Sequence, residues 1–208
     1  MADTPQALGP IHRGYLGVLP LWGMIAVAAT LISFGAVMEH GFDDNGFRLG
    51  SELAWRFAIL VYFAAIVAGP VTRLVPRQRL QRLIPEPRQL LWGFCASFGI
   101  FLVSLLVSPT AFGHEGFGTA VFVLFASGLT MVIAYAASPQ LNLAERSRRA
   151  ILGAGLSYFW FAYTLNGLTH LFTHFRPDAF YGVSLALLVV ALVLRFADRF
   201  WRESARAR

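Results

Sequence analysis

Six long apolar stretches dominate this chain, at roughly 15–38, 53–72, 89–108, 117–137, 150–172 and 179–198. Each is close to the ~20 residues a helix needs to cross the hydrocarbon layer of a bilayer. Inside that layer every backbone N–H and C=O must be bonded within the protein, which only helices and closed barrels achieve. Barrel strands alternate apolar and polar residues over ~10 positions, and these stretches do not alternate. The reading is an all-α, polytopic membrane protein: one transmembrane domain over residues 1–208, folded as a six-transmembrane-helix bundle. Composition agrees, because 57% of residues are hydrophobic and only 13% charged, against ~25% charged in a soluble domain. A chain with mean hydropathy +0.60 lacks the polar surface to cover itself in water. The lipid bilayer is its expected first partner.

The arginines set the expected orientation. The chain has no lysine, so its 17 basic residues are all arginine. Arg13 precedes the first stretch. Arg73, Arg77, Arg79, Arg82 and Arg88 lie between the second and third, and Arg146, Arg148 and Arg149 between the fourth and fifth. Arg195, Arg199, Arg202, Arg206 and Arg208 close the chain. All of these fall on one side of a six-span arrangement, whereas only Arg48 and Arg176 fall on the other and Arg56 lies within a span. Cytoplasmic loops collect basic residues, so the N-terminus and C-terminus are both expected in the cytoplasm. The same bias explains the pI of about 10.2 and gives no reason to expect nucleic acid as a partner. Ala26-Val27-Ala28 could mimic a signal-cleavage site, but the first apolar run exceeds the ~7–15 residues of a signal core, and the even span count requires it as a retained helix.

The connections carry turn chemistry. The segment 73–88 contains Pro76, Pro85 and Pro87, which break a long helix; the Arg and Leu between them suggest a short turn of helix on the membrane surface, able to attract anionic headgroups. The segment 39–52, acidic and rich in glycine, reads as an outward-facing loop. The fifth stretch carries Gly153, Gly155, Ser157, Asn166, Gly167 and His170, a set small and polar enough to place it at the centre of the bundle. Cys95 is the only cysteine. It has no disulfide or metal-type partner pattern and reads as a packing residue.

The residues able to carry chemistry gather at one edge. Four of the five histidines, His40, His114, His170 and His174, fall at the outer ends of spans, together with Glu39, Asp43, Asp44, Glu52, Glu115 and Asp178. His170 and His174 share a helix face if the helix continues that far. Imidazole is the commonest metal ligand and the usual haem axial ligand, so one reading is a metal site on His170, His174 and His114, or a haem. The other is that polar residues collect wherever a helix meets water. Within the spans, Arg56 can reach outward or pair with Glu52 at i−4. Thr164 and Asn166, with Tyr158 and Tyr163 nearby, can tie helices together. Arg195 and Asp198 read as an interfacial anchor. No acidic residue lies mid-span, which argues against an ion-coupled transporter.

Neither HExxH, GxSxG, a P-loop nor GxGxxG occurs, and no soluble segment is long enough for a nucleotide-binding domain. Electrons, if the chain moves them, must come from a partner protein or a quinol. Three stretches carry a resemblance: Glu52-Leu-Ala-Trp-Arg-Phe57 at the opening of the second span, Arg88-Gln-Leu-Leu-Trp-Gly93 at the opening of the third, and Arg148-Arg149 leading a fifth span that ends in Leu168-Thr-His170-Leu. With the span count, these make residues 50–200 resemble the ferric reductase-like transmembrane domain, the six-helix haem-b module of ferric reductases, NADPH oxidases and the membrane partner of a periplasmic methionine sulfoxide reductase.

That family carries haem-ligating histidines on its third and fifth helices. The third span here has none. On the fifth, His170 occupies the later family position and Ser157 stands at the earlier one. The resemblance therefore implies at most one haem b, near the outer face, with His170 as one ligand and His114 or His40 as the other, or else a quinone at that face. It also implies a redox partner protein and a bacterial cytoplasmic (inner) membrane location. The alternative is a non-catalytic membrane subunit or scaffold that kept the fold and lost the haem sites.

Overall fold

A computed structural model describes residues 20–74, 85–107, 116–138, 144–173 and 178–206. Among these residues the chain is all-helical: α1 (Leu21–His40), α2 (Asp44–Leu74), α3 (Pro87–Val107), α4 (Gly116–Ala137), α5 (Glu145–Thr173) and α6 (Ala179–Arg206). Among the described residues, four helices are long and apolar enough to cross a membrane: α1, α2, α3 and the part of α6 from Ala179 to Trp201. In α4 the run Phe125–Ala137 is apolar but shorter. At 29 residues α5 is long, yet Tyr158, Tyr163, Thr164, Asn166 and His170 interrupt its apolar character. Many large apolar side chains point outward, Met131 at 72% and Phe172 at 84% exposure among them. An exposed apolar surface of this extent marks a protein that meets lipid.

The segment 39–52, expected as a loop, is instead a tight corner followed by two turns of helix. α1 stops at Gly41, whose φ of +103° is open to glycine. Asp43 then caps α2, its Oδ1 accepting the Gly46 N–H at 2.9 Å. The polar residues that read as loop lie on the first turns of α2, where Asn45 and Arg48 are exposed. Gly50 allows these turns to lie against α1; a Cβ there would sit 2.7 Å from the Ser33 carbonyl oxygen. At the other end Pro87 opens α3, a position where its missing N–H is not needed. The surface helix turn expected near Pro76 lies outside the described residues, as does the start of the first expected span at 15–19.

The core sits between α2 and α3. Ala54, Ala58 and Ala65 of α2 are buried, and α1 packs against both helices, with the Ser33 and Ser104 hydroxyls 2.7 Å apart. α5, expected at the centre, is placed instead beside this trio. Its small residues serve other neighbours: Gly155 meets Ile133 of α4, Gly167 meets Leu185 of α6, and Ser157 is exposed. It joins the core through aromatic rings. Phe159 lies 5.0 Å from Phe94 and 4.9 Å from Phe98 of α3. Tyr163 lies 4.6 Å from Trp55 and 5.2 Å from Tyr62 of α2. The Tyr62 hydroxyl donates to the Leu156 carbonyl of α5.

Side chain-to-carbonyl hydrogen bonds help to fasten the remaining helices. Trp160 Nε1 donates to the Leu188 carbonyl of α6 at 3.2 Å. Arg88 Nε donates to the Ala137 carbonyl at the end of α4 at 2.6 Å. Phe159→Ala should lower stability in detergent by ~3–5 kcal/mol, the range for emptying a buried aromatic site. The exposed Phe172→Ala should stay within ~0.5 kcal/mol of the parent. Thermal unfolding of the two purified variants distinguishes them, and equal losses would contradict the ring-filled interface.

Candidate functional site

At the end of the bundle where α2 begins, α5 ends and α6 begins, three charged residues form a chain. Glu52 and Arg56 lie one turn apart on α2, so their side chains meet; Arg56 donates to Glu52 Oε1. Arg56 Nη1 is also 2.7 Å from Asp178 Oδ2. Asp178 precedes α6 and holds that helix's start, its Oδ1 accepting the Phe180 N–H at 2.9 Å. The Arg56 guanidinium lies 5.1 Å from the Phe180 ring centroid and 5.8 Å from that of Tyr181, within cation–π range. One arginine thus ties the first turn of α6 to α2.

His170 belongs to the same region. Its ring lies flat on Tyr181, with centroids 4.1 Å apart and planes 9° apart. One turn earlier on α5, Asn166 lines the same cleft. Together with Glu52, Trp55 and Phe101 they line a cleft of about 280 Å³. The walls are therefore aromatic, and the polar groups are an imidazole, a carboxamide and a carboxylate. Deeper in the bundle, Arg56 Nε and the hydroxyls of Tyr163 and Thr164 are buried without a hydrogen-bond partner among the described residues.

The expected site residues separate. His170 lies in the cleft. His40 does not: it is exposed at the end of α1, with Nδ1 3.1 Å from the Ala36 carbonyl of its own helix. His114 and His174 lie outside the described residues. Among the described residues no group of three His, Cys, Asp or Glu is placed to hold a metal ion. The Glu52–Arg56 pair was readable from its spacing. The parts played by Asp178 and Tyr181 were not, because they arrive from a distant helix with no local pattern.

The single outer-face haem b that the resemblance implies would take His170 with His40 or His114; His40 is exposed at the end of α1 and does not line the cleft, and His114 lies outside the described residues. Between α3 and α5, Phe94, Phe98, Phe159 and Tyr163 pack together and are at most 2% exposed. His170, the one family-type imidazole described, is stacked on a tyrosine and faces a cleft that His40 does not line. Asp198, read as an interfacial anchor, is a second departure. It is 3% exposed and accepts two hydrogen bonds from Arg73, from Nε and Nη2, each at 2.9 Å. A buried carboxylate requires such a partner, and α2 supplies it from far along the chain.

The Asp178 carboxyl is held below the usual carboxylate range, first by the Phe180 N–H and then by the Arg56 charge. Its folded value therefore lies below its unfolded one. Its contribution to stability is complete above about pH 4 and is lost as pH falls through the folded value. Asp178→Asn should accordingly flatten part of the fall in melting temperature below about pH 4, while Glu145→Gln, at an exposed i,i+4 pair with Arg149, should change it little. Acid profiles identical in parent and Asp178→Asn would contradict the tie. The chain matches no protein-family model, no curated protein and no solved structure, so the chemistry of this cleft rests on its own residues.

Proposed function

We propose that this chain is a six-span membrane subunit of a bacterial cytoplasmic membrane, with both termini inside, whose outer cleft receives a quinone headgroup and exchanges its electrons with a redox partner protein. The observation that carries the reading is His170 lying flat on Tyr181 in a cleft shared with Glu52 and Asn166. A quinone ring is planar, so it suits the aromatic walls of Trp55 and Tyr181. Its two carbonyl oxygens accept hydrogen bonds, which the imidazole N–H and the Asn166 amide can donate. Reduction to the quinol takes up two electrons and two protons. The partner supplies the electrons, and the His170 imidazole can relay the protons from solvent, accepting on one ring nitrogen while donating from the other. The cleft, at about 280 Å³, is at the small end of ligand pockets, which run ~300–1,000 Å³, and matches a single ring better than a porphyrin.

The six-span arrangement adds α4 and α5 to the four apolar helices. The distribution of arginine supports its orientation: the end bearing Arg73, Arg88, Arg149 and Arg195 faces the cytoplasm, and His170 faces out. A second reading, a scaffold without redox chemistry, is favoured by the rings that fill the space between α3 and α5. The resemblance to ferric reductase-like domains then reflects shape, with the haem positions given over to packing.

Two measurements test this. In a Cys95→Ala background, cysteine at Asp44 should react with an impermeant thiol reagent in intact cells and cysteine at Gln81 should not; reversed labelling would overturn the orientation. A short-chain ubiquinone analogue should quench tryptophan fluorescence saturably in the purified protein, with Trp55 beside the cleft. His170→Ala should weaken that binding about tenfold, the effect of losing about one hydrogen bond, and His40→Ala should leave it unchanged. Absence of saturable binding would leave the scaffold reading in its place.

A further inference from the structure

The outer cleft has a counterpart at the opposite end of the bundle. This inner cleft, about 510 Å³, lies between the end of α2, the middle of α5 and the last turns of α6. The same two helices wall both. On α2, Glu52 and Trp55 line the outer cleft, and Ala65, Gly69 and Arg73 line the inner one. On α5, Asn166 and His170 line the outer cleft, and Leu156 and Ser157 the inner one. The stretch of α2 from Trp55 to Ala65 separates them, ~15 Å at the helical rise. A file of polar groups crosses that stretch. His170, Asn166 and Tyr163 follow one another at turn intervals, so they share a face of α5. The Tyr163 ring lies 5.2 Å from that of Tyr62 on α2. The Tyr62 hydroxyl donates to the Leu156 carbonyl, and Leu156 lines the inner cleft. Tyr163 is 2% exposed, yet its hydroxyl has no hydrogen-bond partner among the described residues. A buried hydroxyl left without a partner is unfavourable. Here that group stands midway along a file that runs from cleft to cleft.

We propose that this file is a proton path joining the two clefts, and so the two sides of the membrane. A tyrosine hydroxyl both accepts and donates a hydrogen bond. In one concerted shift each hydroxyl takes a proton on its oxygen and releases the hydrogen it carried, then rotates back. One proton crosses, and no residue keeps a charge. Water entering from the clefts connects the ends of the file to solvent, with the His170 imidazole as the outer terminus, a group suited to shuttling protons. The packing selects the proton. Trp55 lies 4.6 Å from Tyr163, and Phe94 lies 5.2 Å from Tyr62, which leaves no room for an ion with its hydration shell. A bare metal cation needs several oxygen ligands, which aromatic rings do not offer. The path depends on the helices spanning the membrane, but not on what the outer cleft binds.

The full chain should be reconstituted into vesicles of phosphatidylcholine and phosphatidylglycerol, with a pH-sensitive dye inside and no quinone present. A potassium diffusion potential set with valinomycin, negative inside, drives protons inward. Vesicles holding the parent chain should acidify several-fold faster than protein-free vesicles. Tyr163→Phe keeps the ring and removes the hydroxyl. It should slow the protein-dependent rate about tenfold, what the loss of about one hydrogen bond adds to a barrier, while the melting temperature stays that of the parent. Tyr135→Phe, which alters an exposed tyrosine on α4 outside the file, should conduct as the parent does. Acidification no faster than in protein-free vesicles would overturn the proposal without recourse to any variant. So would a folded Tyr163→Phe chain that conducts as the parent does, or parent vesicles equally permeable to sodium. Because no quinone takes part, the proton path and the quinone cleft fail separately.

Discussion

The packing of Phe159 against Phe94 and Phe98, and of Tyr163 against Trp55 and Tyr62, is the contact on which the placement of α5 depends. The rings are large enough to bridge from α5 to the tightly packed α1–α2–α3 trio, where alanine, serine and glycine let backbones approach. In lipid, apolar burial gives little drive for helices to associate, and close packing and hydrogen bonds carry more of the association. Interlocked rings supply many dispersion contacts from few residues. Tyr62, donating to Leu156, adds a hydrogen bond across the same interface. α6 then follows α5 through Trp160 and is pinned to α2 at two points, just before its start and about two turns before its last residue.

Those two pins are ionic, and they differ in kind. At one end Arg56 joins Glu52 and Asp178, in contact with the rings of Phe180 and Tyr181. At the other, Arg73 neutralises the buried Asp198. Both arginines come from α2, and their partners lie far apart on the α6 side, Asp178 just before the helix and Asp198 about two turns before its last residue, so the pairs fix the register of α6 along α2. Each also borders a cleft. The bundle therefore carries its polar chemistry at its ends and its aromatic packing between them.

Much of this was readable in the residues. Apolar runs located all six helices, and the i,i+4 spacing of Glu52 and Arg56 announced their pair. Three features were hidden for physical reasons. Asn45, Arg48 and Glu52 look like loop because polarity marks exposure, while the Asp43 cap that starts α2 depends on one side chain. Glycine and serine on α5 suggested a central helix, but small size reports only close approach; Gly155 and Gly167 approach α4 and α6. Asp198 and Asp178 find their arginines across the bundle, and no local pattern signals a partner on a distant helix. His170 was singled out from its place in the sequence; its stacking on Tyr181 required the fold.

The family resemblance pointed to the outer face, with His170 and one of His114 and His40, as the place for a cofactor. The space between α3 and α5 is filled by side-chain rings, and His170 lines a small cleft at the bundle's edge. The most direct measurement is the absorption spectrum of the detergent-purified protein, oxidised and reduced, after expression with haem supplied. The account predicts no Soret band above the protein background in either state. A stoichiometric Soret band that sharpens and shifts on reduction would contradict it, because the cleft at His170, at about 280 Å³, is proposed to take a single ring and not a porphyrin.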